Sequence, residues 1–367
     1  MKTFTYQANP ARVVFGAGAL AELPREIERL GARRALVLCT PEQAASAQQV
    51  ADLLGDRAAG LFAKAVMHVP IETAREAREE ARRLGADCAV AIGGGSTTGL
   101  GKAIALESGL PILAIPTTYA GSEMTSIYGI TEAGVKKTGR DAKVLPRTVI
   151  YDPELTRTLP LSMTITSALN AIAHAAEGLY AHDGNPIIGL MAEEGIRASA
   201  AAMAPLMFDT QNIDARSDAL YGAWLCGTVL GSVAMGLHHK LCHTLGGSFN
   251  LPHAETHTVV LPHALAYNAP QAPEAMARIA RALRASEAAP GTSGAAPGAA
   301  DAPQRLFELA KRMGAPTSLQ AIGMPAAGLD RVADLAVQNP YPNPRPLERA
   351  ALRAMLQRAF DGEPPQS

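Results

Sequence analysis

The apolar run from Cys88 to Ile92 passes without a break into Gly93-Gly94-Gly95-Ser96-Thr97-Thr98-Gly99, and Leu100 to Leu106 then has helical composition. An apolar run, a glycine turn and a helix start, in that order, form the corner of a strand-to-helix unit. The flanking sequence repeats the theme. Ala35 to Cys39 and Pro111 to Ile115 are further apolar runs of strand length, and Ile71 to Leu84 between the first two reads as a charged amphipathic helix. Strands alternating with helices argue for a parallel sheet covered on both faces, an α/β domain.

The glycine turn has a chemical consequence. Glycines let backbone N–H groups approach a phosphate closely, and the dipole of the following helix favours its charge. The run Cys88 to Ile92 carries this turn at its carboxyl end. The run Pro111 to Ile115 carries a second small, hydroxyl-rich loop, Pro116-Thr117-Thr118-Tyr119-Ala120-Gly121-Ser122-Glu123. Open α/β sheets bind ligands at that edge, so the two loops read as one nucleotide site.

From about Leu161 strand signals give way to Ala-rich helical runs: Thr166 to Ala181, Pro186 to Met207, Arg216 to Leu245, Glu274 to Ala285, Pro303 to Met313 and Leu347 to Phe360. The expected organisation is an α/β domain over 1–160 and an all-helical domain over 161–367. Ala285 to Pro303 is low in complexity and reads as a mobile surface loop.

The helical half contains GLHHKLCHTLGGSFNLPHAETHTVVLPHALAYN, Gly236 to Asn268, with six of the nine histidines: His238, His239, His243, His253, His257 and His263. In a helix His239 and His243 share a face, Gly246-Gly247 would end it, and Pro252 would turn the chain to bring His253 back. Imidazoles gathered in this way suit proton transfer or metal binding. Asn170 and His174 stand four apart on an otherwise apolar, Ala-rich helix. Buried polar groups need partners, and the histidine cluster is the expected one.

Composition excludes other classes. A formal net charge of -1 offers no basic field for nucleic acid and no polybasic membrane patch. The N-terminus lacks the apolar run of a signal peptide, and the apolar stretch Trp224 to Leu237 is short and broken by glycines, so a cytoplasmic protein without a membrane span is expected. Cys39, Cys88, Cys226 and Cys242 have no paired spacing and read as reduced core thiols.

Five segments in this order, GGGSTTGLGKAIAL, IPTTYAGSEMTSIYGIT, VIYDPELTRTLP, SALNAIAHAAEGLYA and the histidine block, resemble the iron-containing alcohol dehydrogenase superfamily over nearly the whole chain. Within it the likeness is greatest to members that reduce 2-maleylacetate to 3-oxoadipate in the breakdown of aromatic compounds. The resemblance implies a dinucleotide-binding α/β domain followed by a helical catalytic domain, and a homodimer. It implies a cofactor held by Gly93, Gly94, Gly95, Ser96 and Thr97, with Thr117, Thr118 and Ser122 lining the rest and Lys136 or Lys137 nearby. His174, His239, His243 and His253, with Asn170, would form the catalytic cluster, with His243 or His253 as proton donor.

Two departures from the family pattern carry further expectations. Metal-dependent members hold an aspartate where this chain has Asn170, and complete the metal with histidines matching His174, His239 and His253. An amide in place of the only anionic ligand weakens a site for Fe²⁺ or Zn²⁺, so no metal is expected. Members restricted to NADH carry an aspartate at about the position of Thr40, which cannot repel a 2′-phosphate, so both NADH and NADPH are expected as cofactors. A metal-dependent alcohol or polyol dehydrogenase, and a lyase of the dehydroquinate synthase type, remain the alternatives.

Overall fold

The computed structural model describes residues 11–133, 135–287, 301–338 and 341–366, with residues 3, 4, 6 and 8. The chain divides into two compact units, one spanning 8–159 and the other 160–367 together with 1–7.

The first unit alternates strands and helices: β1 (Arg12–Phe15), α1 (Leu23–Arg29), β2 (Ala35–Leu38), α2 (Ala44–Leu54), β3 (Ala58–Phe62), α3 (Ile71–Arg83), β4 (Cys88–Gly93), α4 (Gly95–Ser108), β5 (Ile112–Pro116), a hairpin of β6 (Ile127–Glu132) and β7 (Val135–Arg140), and β8 (Thr148–Tyr151). Six strands form one sheet in the order β1-β8-β5-β4-β2-β3. Every pairing in it is parallel. Period-two alternation sends Ala35 and Val37 of β2 to one face, against Leu23, Ile27, Ala47 and Val50. Leu36 and Leu38 go to the other, against Ala74, Ala77, Leu100 and Ala103. Helices therefore cover both faces, and each buried Leu, Ile or Val contributes roughly 1.5–3 kcal/mol.

The connections reverse at β2 and β4. From β2 the chain moves outward to β3 at the edge, whereas from β4 it moves the opposite way to β5. The carboxyl ends of β2 and β4 thus flank the switch point where open α/β sheets bind ligands.

The second unit is helical: α5 (Leu161–Gly178), α6 (Pro186–Phe208), α7 (Ile213–Ser232), α8 (Leu237–Phe249), α9 (His253–Asn268), α10 (Pro273–Glu287), α11 (Asp301–Arg312), α12 (Leu329–Gln338) and α13 (Arg349–Asp361). Its core joins α8, α9, α12 and α13 through Leu237, Leu241, Leu245, Val260, Val332, Leu352 and Leu356. Among the described residues no single helix is long and apolar enough to cross a membrane.

Three expectations need correction. The single helix from Arg216 to Leu245 is two, α7 and α8, meeting at 95°. Gly246-Gly247 does not end α8, which runs to Phe249 and stops where Asn250 takes the left-handed conformation (φ 53°) and donates its N–H to Gly246 O; asparagine tolerates that C-terminal position. The ends of Ala285 to Pro303 are helical, 285–287 closing α10 and 301–303 opening α11, while 288–300 lie outside the described residues.

Candidate active site

Gly93 ends β4, and Thr40, Gly94, Gly95, Ser96, Thr97, Thr117, Thr118 and Ser122 follow the carboxyl ends of β2, β4 and β5. Gly94 caps α4 without any side-chain cap, so the first N–H groups of the helix are left without partners within it. The space glycine leaves is used. A Cβ on Gly93 would come 2.5 Å from Thr97 Oγ1 and 2.6 Å from Gln43 Oε1, and one on Gly94 3.0 Å from the Thr118 side chain. Gly93 also has φ +149°, which L side chains rarely adopt. Thr97 Oγ1 is buried with no hydrogen-bond partner. Gln43, which the sequence reading passed over, ties the edge together: Thr40 Oγ1 donates to Gln43 Oε1 at 3.4 Å, and Gln43 Nε2 donates to Thr117 Oγ1 at 2.8 Å.

The loop after β5 hangs from the interior of this unit. Lys102 on α4 is buried and its ammonium donates to Ser122 O, Thr125 O, Thr125 Oγ1 and Ile127 O at 2.7–2.9 Å. Lys136 lies on β7 opposite Thr131, and its side chain is outside the described residues. Lys137 pairs with Glu132 on the same hairpin.

In the helical unit, His174 on α5 does meet the histidine block of α8 and α9. His174 Nδ1 lies 2.8 Å from His239 Nε2, and Asn170 Nδ2 lies 3.4 Å from His174 Nε2. The ring of His243 is 6.2 Å from that of His239, and the ring of His253 is 4.3 Å from that of His257. Asn170, His174 and His239 are buried, whereas His243 and His253 are exposed. The cluster is larger than expected. His238 Nε2 and His257 Nδ1 are 2.9 Å apart, fully buried, and Cys242 Sγ lies 3.7 Å from His238 Nε2. His238, Cys242 and His257 each bring a ligand-type atom within 4.8 Å of the others. His263 stays apart, packed beside Phe307.

Glu177, also missed from sequence, organises this cluster. It follows His174 by three residues, on the same side of α5. Its fully buried carboxylate accepts hydrogen bonds from Gly236 N (3.0 Å), His238 N (2.9 Å), His239 N (3.3 Å), His239 Nδ1 (2.7 Å) and Tyr180 Oη (3.0 Å). The three backbone donors belong to the start of α8, so Glu177 caps that helix from a neighbouring one. This is why the chain turns between Ser232 and Leu237.

Burial shapes the titration of these groups. It would raise the Glu177 carboxyl, but the hydrogen bond from His239, with that from the His238 amide, outweighs it and holds the group at about 2. Burial, reinforced by His239, lowers His238 to about 3, and burial with the surrounding imidazoles puts His257 well below the usual range, so both are neutral at ordinary pH. Burial, with Glu177 adding, pushes the Cys242 thiol well up, which excludes a resting thiolate. All four cysteines are free and buried, as expected.

The description "Iron-containing alcohol dehydrogenase" matches residues 10–153, and "Fe-containing alcohol dehydrogenase family, C-terminal" matches residues 164–360. The chain is 68% identical over 365 residues, the full length of both, to the maleylacetate reductase of Burkholderia cepacia. It is similar to the crystal structure of a putative alcohol dehydrogenase from Ralstonia eutropha JMP134 (65% identity, TM-score 0.95, full coverage of both chains). It is likewise similar to that of maleylacetate reductase from Agrobacterium tumefaciens (53% identity, TM-score 0.93, full coverage of both chains). On this evidence of sequence and fold, the chain belongs to the iron-containing alcohol dehydrogenase family.

Proposed function

We propose that the chain reduces the carbon–carbon double bond of maleylacetate to give 3-oxoadipate, with NADH or NADPH as hydride donor. The observation that carries the reading is the end-to-end likeness to maleylacetate reductases. The residues present suit a dinucleotide: the uncapped start of α4 and the cradle at Gly93 and Gly94 accept a pyrophosphate, and Thr40 at the end of β2 leaves room for either ribose. A reduced nicotinamide, when bound, supplies the hydride.

The chain's own groups account for the rest of the reaction. Hydride added to the alkene carbon β to the ketone leaves an enolate, and a proton must then reach the carbon between them. The exposed imidazoles His243 and His253 are the cluster members a substrate reaches, and either supplies that proton. Charge-assisted hydrogen bonds from the same rings stabilise the enolate oxygen and the substrate carboxylates.

The family's description names iron, which speaks for a metal at this site. The donors speak against it. The positions matching the family's ligands offer three imidazoles and the neutral amide of Asn170, whose Oδ1 is buried without a partner. His174 Nδ1 and His239 Nε2 lie within hydrogen-bond distance of each other at 2.8 Å, which engages nitrogens that a metal would otherwise take. The nearest carboxylate, Glu177, is saturated by its five donors. This donor set is a weaker one for a divalent cation than one with an aspartate, and the proposed reaction needs no metal. A homodimer in the cytoplasm completes the reading.

The test is NADH and NADPH oxidation with freshly prepared maleylacetate, before and after EDTA treatment. Rapid oxidation that survives the chelator supports the proposal. Inert maleylacetate, with alcohol oxidation appearing only on addition of Fe²⁺ or Zn²⁺, would make the chain a metal-dependent alcohol dehydrogenase instead.

A further inference from the structure

The hydrogen bonds around Glu177 run in one direction. Three backbone N–H groups and the Tyr180 hydroxyl can only donate to it, so the carboxylate is fully occupied as an acceptor. A carboxylate receiving that many bonds stays ionised, even buried. His239 Nδ1, 2.7 Å from it, must therefore carry a proton. With neutral rings His239 Nε2 is then bare and accepts from His174 Nδ1, 2.8 Å away. That leaves His174 Nε2 bare in turn, and it faces a donor, Asn170 Nδ2, at 3.4 Å. Each link fixes the next, from Glu177 through two imidazoles to the amide.

We infer that Glu177 is a positioning residue: it fixes the ring proton of His239, and through it that of His174, on Nδ1. The buried pair is thereby a directed support that leaves proton donation to the exposed His243 and His253. Asn170 completes the chain because an amide can donate to a bare nitrogen. A carboxylate there could not, and would set its charge against a lone pair.

The tautomers rest on hydrogen bonds alone, whereas the fall in turnover described next rests on the reductase reading. The test is a long-range ¹H–¹⁵N correlation spectrum of histidine rings in the full-length protein labelled with ¹⁵N-histidine, with signals assigned by single His→Gln variants. Wild type is expected to show His239 and His174 both protonated on Nδ1, the form that is the minor one for free imidazole side chains in water. In Glu177→Gln an amide N–H can face His239 Nδ1, and both rings should switch to the Nε2 proton. That variant should lose about tenfold or more in kcat, the usual cost of a lost orienting partner, with the KM for NADH little changed. Tyr180→Phe removes one donor to Glu177 without touching either ring and should leave both tautomers and kcat in place. A bare Nδ1 on His239 in wild type, which requires no variant to fold, would overturn the inference, as would unchanged tautomers in a folded Glu177→Gln protein. If maleylacetate proves not to be a substrate, the spectra still decide the tautomers.

Discussion

Three histidines of the helical unit make the protein sensitive to mild acid. His238 and His257 are fully buried and His263 is nearly so, with both ring nitrogens of His263 lacking hydrogen-bond partners. Burial first, then neighbouring positive charge, lowers all three: His238 to about 3, His263 to about 4, and His257 well below its ordinary value. In the unfolded chain each takes a proton below about pH 6.5, while the folded chain refuses it. Their contribution is therefore fully present above about pH 6.5 and is lost as pH falls toward the folded values. Between about pH 7.5 and about pH 5 each histidine costs ~2 kcal/mol, and the three together roughly 6 kcal/mol. Glu177 adds nothing in that window, because its depressed carboxyl costs stability only below its unfolded value, between 4.5 and about 2. For a helical unit of this size the loss is a fall in Tm on the order of 10–20 °C. Thermal melts followed by circular dichroism at the two pH values and constant ionic strength measure it. His263→Leu should remove about a third of the fall, and should raise Tm at neutral pH because two unpaired ring nitrogens no longer need burying, each worth roughly 1–3 kcal/mol. A wild-type Tm that is flat across the window, or a fall that His263→Leu leaves intact, would refute the reasoning.

Two further outcomes are expected at the site itself. Asn170→Asp places an unpaired carboxylate in a buried pocket of imidazoles, so the metal-free variant should lose roughly 3 kcal/mol of stability. Added Zn²⁺ or Fe²⁺ should restore the loss, and elemental analysis should find the variant retaining metal; a variant as stable as wild type and free of metal would contradict this account of Asn170. Gly93→Ala drives a Cβ into Thr97 and Gln43 at an unfavourable φ. It should cost about 1–3 kcal/mol and weaken NADH binding in a fluorescence titration, and unchanged affinity would remove the glycine turn from the cofactor site.

The legible parts of the sequence were those decided locally. β2, β4 and β5 stand out because central parallel strands are buried on both faces and read as unbroken apolar runs. β3, with Gly60 in it and mostly half-buried, does not, nor do β1 and β8. α9 was hidden by Pro262, which lies inside the helix, and α12 went unread. The break between α7 and α8 could not be read from its own residues, since the group that caps α8 sits on α5. Glu177 itself left a signal, an acidic residue one turn beyond His174 on an Ala-rich helix. The pairing of Asn170 and His174 with the histidine block followed from the need to partner buried polar groups. The inclusion of His238 and His257 did not, because their partners are each other.

Lys102 grips the loop after β5 almost wholly by backbone oxygens; of its four acceptors only Thr125 Oγ1 belongs to a side chain. Such an anchor is indifferent to what the loop is made of. The side chains of Ser122 and Ile127, which Lys102 holds by their carbonyls, can therefore vary without loosening that grip, whereas Tyr119, Glu123 and Met124 are buried and Gly121 is left-handed, so those identities are fixed. Ser122 is thus the lysine-held position of this loop, among those expected to line the cofactor, whose side chain the lysine leaves uncommitted.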